Sequence, residues 1–136
     1  MTERWILAAA AALLISPAAA DDDYPYTPER LAQVYENETA GFDSQSIRDR
    51  AGVRMFDVRI SANNPAALPS GASTSRTVRY FARCQENEIA VGGIAMLDNA
   101  GRLIRSVMVP PGAWEYFKPE GETNEAEWLE RACRRY

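Results

Sequence analysis

The side chains of this sequence that can do chemistry are nineteen carboxylates, two cysteines and a set of serines, with no histidine among them. The missing imidazole removes Ser-His-Asp triads, histidine general bases and the usual zinc sites. Two carboxylates suffice for acid–base work when they are held on either side of a glycosidic bond. Asp57 with Glu88, and Glu115 with Glu120, are candidate pairs, yet nothing in their spacing separates them from a solvated acidic surface. The serines collect in residues 61–75, outside any G-x-S-x-G, and no Walker, EF-hand or c-type haem motif is present. Cys84 and Cys133 lie far apart and form no C-x-x-C. The expectation is a protein without catalytic residues, metal or cofactor, with a carboxylate-dependent hydrolase as the weaker alternative.

Compartment decides what the cysteines do. Arg4 begins a short positive region, residues 6–15 are apolar, and Ala18-Ala19-Ala20 supplies a small-residue cleavage site, which together make residues 1–20 a secretory signal peptide. The apolar run is far shorter than the ~20 residues a membrane-spanning helix needs. Cleavage near Ala20 leaves Asp21-Asp22-Asp23 in front and no cysteine at the cut to carry a lipid. The mature chain is therefore expected to be exported, periplasmic or secreted, without stable membrane insertion. In an oxidising compartment an even pair of cysteines forms a disulfide. Joining Cys84 to Cys133 closes a loop of about 50 residues and contributes roughly 4 kcal/mol on the chain-entropy account. The net charge is −4 and the basic residues are dispersed along the sequence, which argues against nucleic acid as a partner.

The elements that position these residues follow from periodicity. In residues 76–84, Val78, Tyr80, Ala82 and Cys84 point one way and Thr77, Arg79 and Arg83 the other, with Phe81 the one apolar residue on the polar side. Residues 21–29 are acidic and proline-rich and read as a flexible lead-in to a single domain over 30–136. Two structures compete next: a short helix with Thr27 as cap and Pro28 in its first position, and a strand through Ala32-Gln33-Val34-Tyr35-Glu36, which agrees better with the β-rich remainder. Residues 41–52 read as a strand end, one helical turn begun by Asp43 or Ser44, and a stop at Gly52. A strand over 53–60 follows, its alternation breaking near Met55-Phe56 as at a bulge. The breaker-rich run from Ser61 to Ser75 is the candidate mobile loop, read as a solvated excursion. Residues 88–97 are apolar on both faces, as in an interior strand, and Gly92-Gly93 leaves room for a bulge or for a large ring such as tryptophan. Asp98-Asn99-Ala100-Gly101 turns the chain into a strand over 102–109. Ala113 to Phe117 is an aromatic edge strand or cover, read as a lid on the core. Thr123 or Asn124 then caps a helix, Glu127 completing a capping box with Asn124. Leu129, Ala132, Cys133 and Tyr136 form its apolar stripe, bordered by Trp128. The fold class is α+β: an antiparallel sheet of about five or six strands with a C-terminal helix packed on it and tied by the disulfide.

The order of these features resembles the surface-adhesin protein E family of secreted Gram-negative bacterial proteins. The matching residues are Phe42-Asp43-Ser44-Gln45-Ser46-Ile47 before a Gly52-Val53 strand, a strand closing in Cys84, the Leu97-Asp98-Asn99-Ala100-Gly101 hairpin, Trp114-Glu115-Tyr116-Phe117-Lys118-Pro119, and a terminal helix ending in Cys133. The CNP1-like periplasmic family has a similar layout of strand cysteine, tryptophan and terminal cysteine. The first resemblance implies a disulfide-held sheet and helix, a capacity to form homodimers, and, in the named adhesin, binding of host matrix and plasma proteins. The expected function is a non-enzymatic exported binding module of the envelope, adhesin-like in kind, whose protein partner is a host matrix protein or an envelope component. The alternative is a structural component or inhibitor that pairs through an exposed sheet edge.

Overall fold

A computed structural model describes residues 27–134; the expected signal peptide, most of the lead-in and Tyr136 lie outside them. Five strands run in sequence order across one antiparallel sheet: β1 Glu38–Arg50, β2 Val53–Ala62, β3 Ser75–Arg83, β4 Glu88–Leu97 and β5 Leu103–Met108. Short connections enforce this meander, since strands joined by a tight turn must run antiparallel. Ala51 and Gly52 both take positive φ, 51° and 88°, which matches the two-residue turn whose twist suits flanking strands. At the β4–β5 turn, Asp98 Oδ1 accepts hydrogen bonds from Arg102 N at 2.8 Å and Ala100 N at 2.9 Å. Those amides hold the Asp98 carboxyl below the usual carboxylate range. Gly101 supplies the positive φ of 84° that closes the turn.

The period-two pattern of β3 places Val78, Tyr80 and Ala82 in a dry core with Phe56, Val58 and Ile60 of β2 and Ile89, Val91, Ile94 and Met96 of β4. Helix α2, Asn124–Cys133, covers this face with Trp128, Leu129 and Ala132. The rings of Phe42, Phe56, Tyr80 and Trp128 run across it at successive centroid separations of 5.3, 5.3 and 5.8 Å. Burial pushes the Tyr80 hydroxyl far above the ordinary phenol range. Thr123 is the N-cap of α2, its Oγ1 accepting from Ala126 N. With the cap at Thr123 the third helical position is Ala126, so the Asn124–Glu127 capping box does not form.

Two local expectations are corrected. The strand expected through Ala32-Gln33-Val34-Tyr35-Glu36 is not formed; a one-turn helix, α1 Pro28–Leu31, stands just before it. Thr27 Oγ1 accepts from Arg30 N, Pro28 supplies a preset φ, and Leu31 and Ala32 enter the core. Arg76 then takes the carbonyls of Leu31 and Gln33 at 2.6 Å each, so the segment's backbone is satisfied by a side chain instead of a neighbouring strand. The helical turn expected from Asp43 or Ser44 is also absent. β1 continues through it with an irregularity in which Ser44, Gln45, Ser46 and Ile47 face only Phe56 of β2. Polar side chains hold this excursion: Asp43 Oδ1 accepts from Gln45 N, while Ser46 Oγ donates to Asp43 O and accepts from Asp57 N. Such side-chain bonds compete with the helical ones. The break anticipated near Met55-Phe56 thus belongs to the strand opposite them.

Candidate functional site

Cys84 and Cys133 are joined, with Cα atoms 5.6 Å apart, and the bond ties the end of β3 to the last turn of α2. This cross-link is a brace for the site and takes no part in its chemistry.

The polar face of β3 carries a row of arginines interrupted by Phe81. Arg79 makes a bidentate pair with Asp57, at 2.7 and 2.9 Å. Arg83 lies 3.6 Å from Glu88 and 3.8 Å above the centre of the Tyr116 ring. Partial burial raises the Tyr116 hydroxyl above its usual range despite the neighbouring guanidinium. Asp57 and Glu88 therefore face different partners four β3 residues apart, about 13 Å at strand rise. They do not form an acid–base couple. Glu115 and Glu120 are exposed on the connection between β5 and α2.

Gly92 is the bulged residue of β4, passed over between the pairs Arg79–Gly93 and Tyr80–Val91. A Cβ built there would lie 2.0 Å from Phe81 Cε2, so the ring occupies the space a side chain would need. The ring beside the diglycine is Phe81 instead of a tryptophan, and Trp114 stacks on Phe81 with ring centroids 4.0 Å apart. Trp114 Nε1 donates to Val109 O at 2.8 Å, which fixes the indole. The aromatic segment is thus a cover on the polar face of the sheet. It ends as a single bridge, Phe117 exchanging both backbone hydrogen bonds with Ile89, and Phe117 is 42% exposed.

Beside this cover lies β5, the last strand of the sheet. Val109 N donates to Gly92 O, and the register continues through Met108–Gly93, Val107–Ile94 and Ser106–Ala95. Alternation along an antiparallel pair then turns the backbone groups of Ser106 and Met108 away from β4, toward the open edge. Leu103 and Ile104, 49% and 47% exposed, stand at the start of the same edge. An apolar edge with free donors and acceptors is a template for another strand. The opposite edge, β1, carries Glu38, Asp43, Arg48, Asp49 and Arg50 and is blunted by charge.

The sequence reading missed Arg76. Its position two before Val78 places it on the core face, where it pairs with Glu38 at 2.6 and 2.9 Å besides its two carbonyls. The Arg76 guanidinium holds the Glu38 carboxyl below the usual range, against the opposing effect of burial.

No family model matches the sequence, and no curated protein is recognisably similar to it. The crystal structure of Haemophilus influenzae protein E, in its form II, is similar at a TM-score of 0.54, with 13% identity over 76% of this chain and 92% of that one. The likeness is one of fold. At this identity it carries no binding property across.

Proposed function

We propose that the protein is a non-enzymatic, exported binding module that engages a protein partner by accepting an extended strand against β5. The observation that carries the reading is the open edge at Ser106 and Met108 beside the exposed Leu103 and Ile104. Backbone pairing supplies affinity in such complexes and apolar side chains supply selection, so the partner segment is extended and apolar on alternate residues. A disulfide in a small domain agrees with export, and the protein E likeness supports an adhesin-type scaffold without naming a ligand.

A photoreactive amino acid at position 104, with position 39 on the charged β1 edge as control, tests this in intact cells. The expected result is a discrete protein adduct from 104, absent from 39, and lost in Ser106→Pro. Proline at 106 deletes only an outward N–H, so the sheet itself is retained. Equal adducts at both positions, or adducts at 104 that survive Ser106→Pro, would overturn the reading. Capture of a second copy of this chain would replace the separate partner with self-association.

A further inference from the structure

The fold gathers arginines that the sequence keeps apart. Arg48 on β1, Arg54 on β2, and Arg131 and Arg134 at the end of α2 line one open cavity of about 540 Å³, together with Ser44 and Phe42. We propose that this cavity binds a phosphate monoester carried on a sugar-sized molecule.

The geometry of the four guanidiniums supports an anionic occupant. Arg54 is committed to Asp49, at 2.8 and 3.1 Å, and its Nη1 donates to Ala132 O. That last bond satisfies a carbonyl at the negative end of α2, an end that would otherwise repel an anion. Arg48 is held through Nη1 alone, by the carbonyls of Gln45 and Ile47 at 2.9 and 2.8 Å. Those neutral acceptors fix the guanidinium without cancelling its charge and leave its remaining N–H groups for a ligand. Arg131 lies 4.7 Å over the Phe42 ring and only 3.9 Å from its nearest carboxylate, Glu127. Arg134 is exposed at the rim. Among the described residues, then, Asp49 and Glu127 offset part of the four positive charges, and a surplus remains at one spot on a protein whose net charge is −4.

Planar guanidinium forks suit the tetrahedral oxygens of a phosphate, and the Ser44 hydroxyl adds a neutral donor. The cavity exceeds a bare phosphate, and the Phe42 ring offers an apolar surface to the body that carries it. The site lies at the β1 side of the sheet, four strand spacings or about 19 Å from β5, so it is independent of the edge proposed above.

The test is calorimetric titration of the purified full chain at low salt with glucose 6-phosphate, inorganic phosphate and glucose, and flotation with vesicles containing phosphatidic acid. Saturable binding of glucose 6-phosphate is expected, with none of glucose. Arg48→Gln and Arg131→Gln should each weaken it roughly tenfold or more, the loss of one charge-assisted contact, and Arg102→Gln, remote in the β4–β5 turn, should not. Arg134→Gln changes an exposed residue at the helix end, so it retains the fold and should still weaken binding. No saturable binding, or equal affinity in the arginine variants, would overturn the proposal. Inorganic phosphate binding as tightly as the ester would overturn the sugar-sized body, and flotation that abolishes ester binding would make a lipid headgroup the source of the same phosphate.

Discussion

Gly92→Ala adds one methyl group at the most crowded point of the polar face. The new Cβ would meet Phe81 Cε2 at 2.0 Å and Cδ2 at 2.4 Å, separations no pair of carbon atoms sustains. The ring cannot withdraw freely, because Trp114 stacks on it at 4.0 Å and is itself pinned by the bond to Val109 O. Relief must come from displacing the stack or shifting the bulge, and overpacking of this kind costs about 1–3 kcal/mol. For a domain of this size each kcal/mol lowers Tm by roughly 4–8 °C, so a fall of about 4 to 24 °C is expected in a thermal melt. Gly93→Ala is the internal comparison, since its Cβ would lie 3.1 Å from Met108 Sδ, the flexible part of a side chain that can give way. Its loss should be clearly smaller. Phe81→Leu in the Gly92→Ala background should recover part of the stability, giving a coupling energy of at least 0.5 kcal/mol between the two positions, roughly the threshold for touching residues. An unchanged Tm for Gly92→Ala, or a double mutant that is simply additive, would refute the claim that the ring and the glycine share one space.

Replacing both cysteines by serine should cost about 2–4 kcal/mol and release the C-terminal turn of α2, seen as faster amide exchange over residues 129–134 than over β2. Arg76→Met should cost roughly 3 kcal/mol by leaving Glu38 and two carbonyls without their donor, with α1 the first segment to lose exchange protection. The Glu38 carboxyl sits below its ordinary range in the folded chain, so its contribution is present above about pH 4.3, the unfolded value, and is lost as pH falls through the folded one. Urea unfolding of the parent and of Glu38→Gln should therefore differ most at neutral pH and converge in acid; a constant gap from pH 7 to 3 would contradict the assignment.

What the sequence disclosed was set by how local its causes are. The parity of Val78, Tyr80 and Ala82 against Thr77 and Arg79 is written in consecutive residues, and β3 follows it. The helix stripe around Trp128 and Leu129 and the pairing of two cysteines were legible for the same reason. The segment 32–36 was not, because its partner is a guanidinium forty residues away on β3 instead of a strand. Likewise Ser44 to Ile47 have the composition of a helix start, and the facing strand β2 together with the Asp43 and Ser46 side-chain bonds draws them into an extended excursion. The open edge of β5 was foreseen only as a type of feature, since strand order decides which strand is last.

Arginine illustrates the boundary most sharply. Read along the sequence, Arg48, Arg54, Arg76, Arg79, Arg131 and Arg134 are equivalent and scattered, and that dispersion argued against nucleic acid as a partner. In the fold their duties separate by what each one touches. Arg76 and Arg79 face carboxylates at bidentate distance and are consumed in holding a segment and a pair of strands. Arg54 is paired as well, yet its remaining bond quiets the carbonyl end of α2. Arg48 is fixed by neutral carbonyls that leave its charge standing, and Arg131, poised over a ring, has Glu127 at 3.9 Å as its carboxylate. Their convergence requires the β1 excursion to carry Arg48 outward and the Cys84–Cys133 bond to hold the end of α2 against the sheet. The brace and the irregular strand are therefore the two elements that assemble this arginine-lined cavity on an acidic chain.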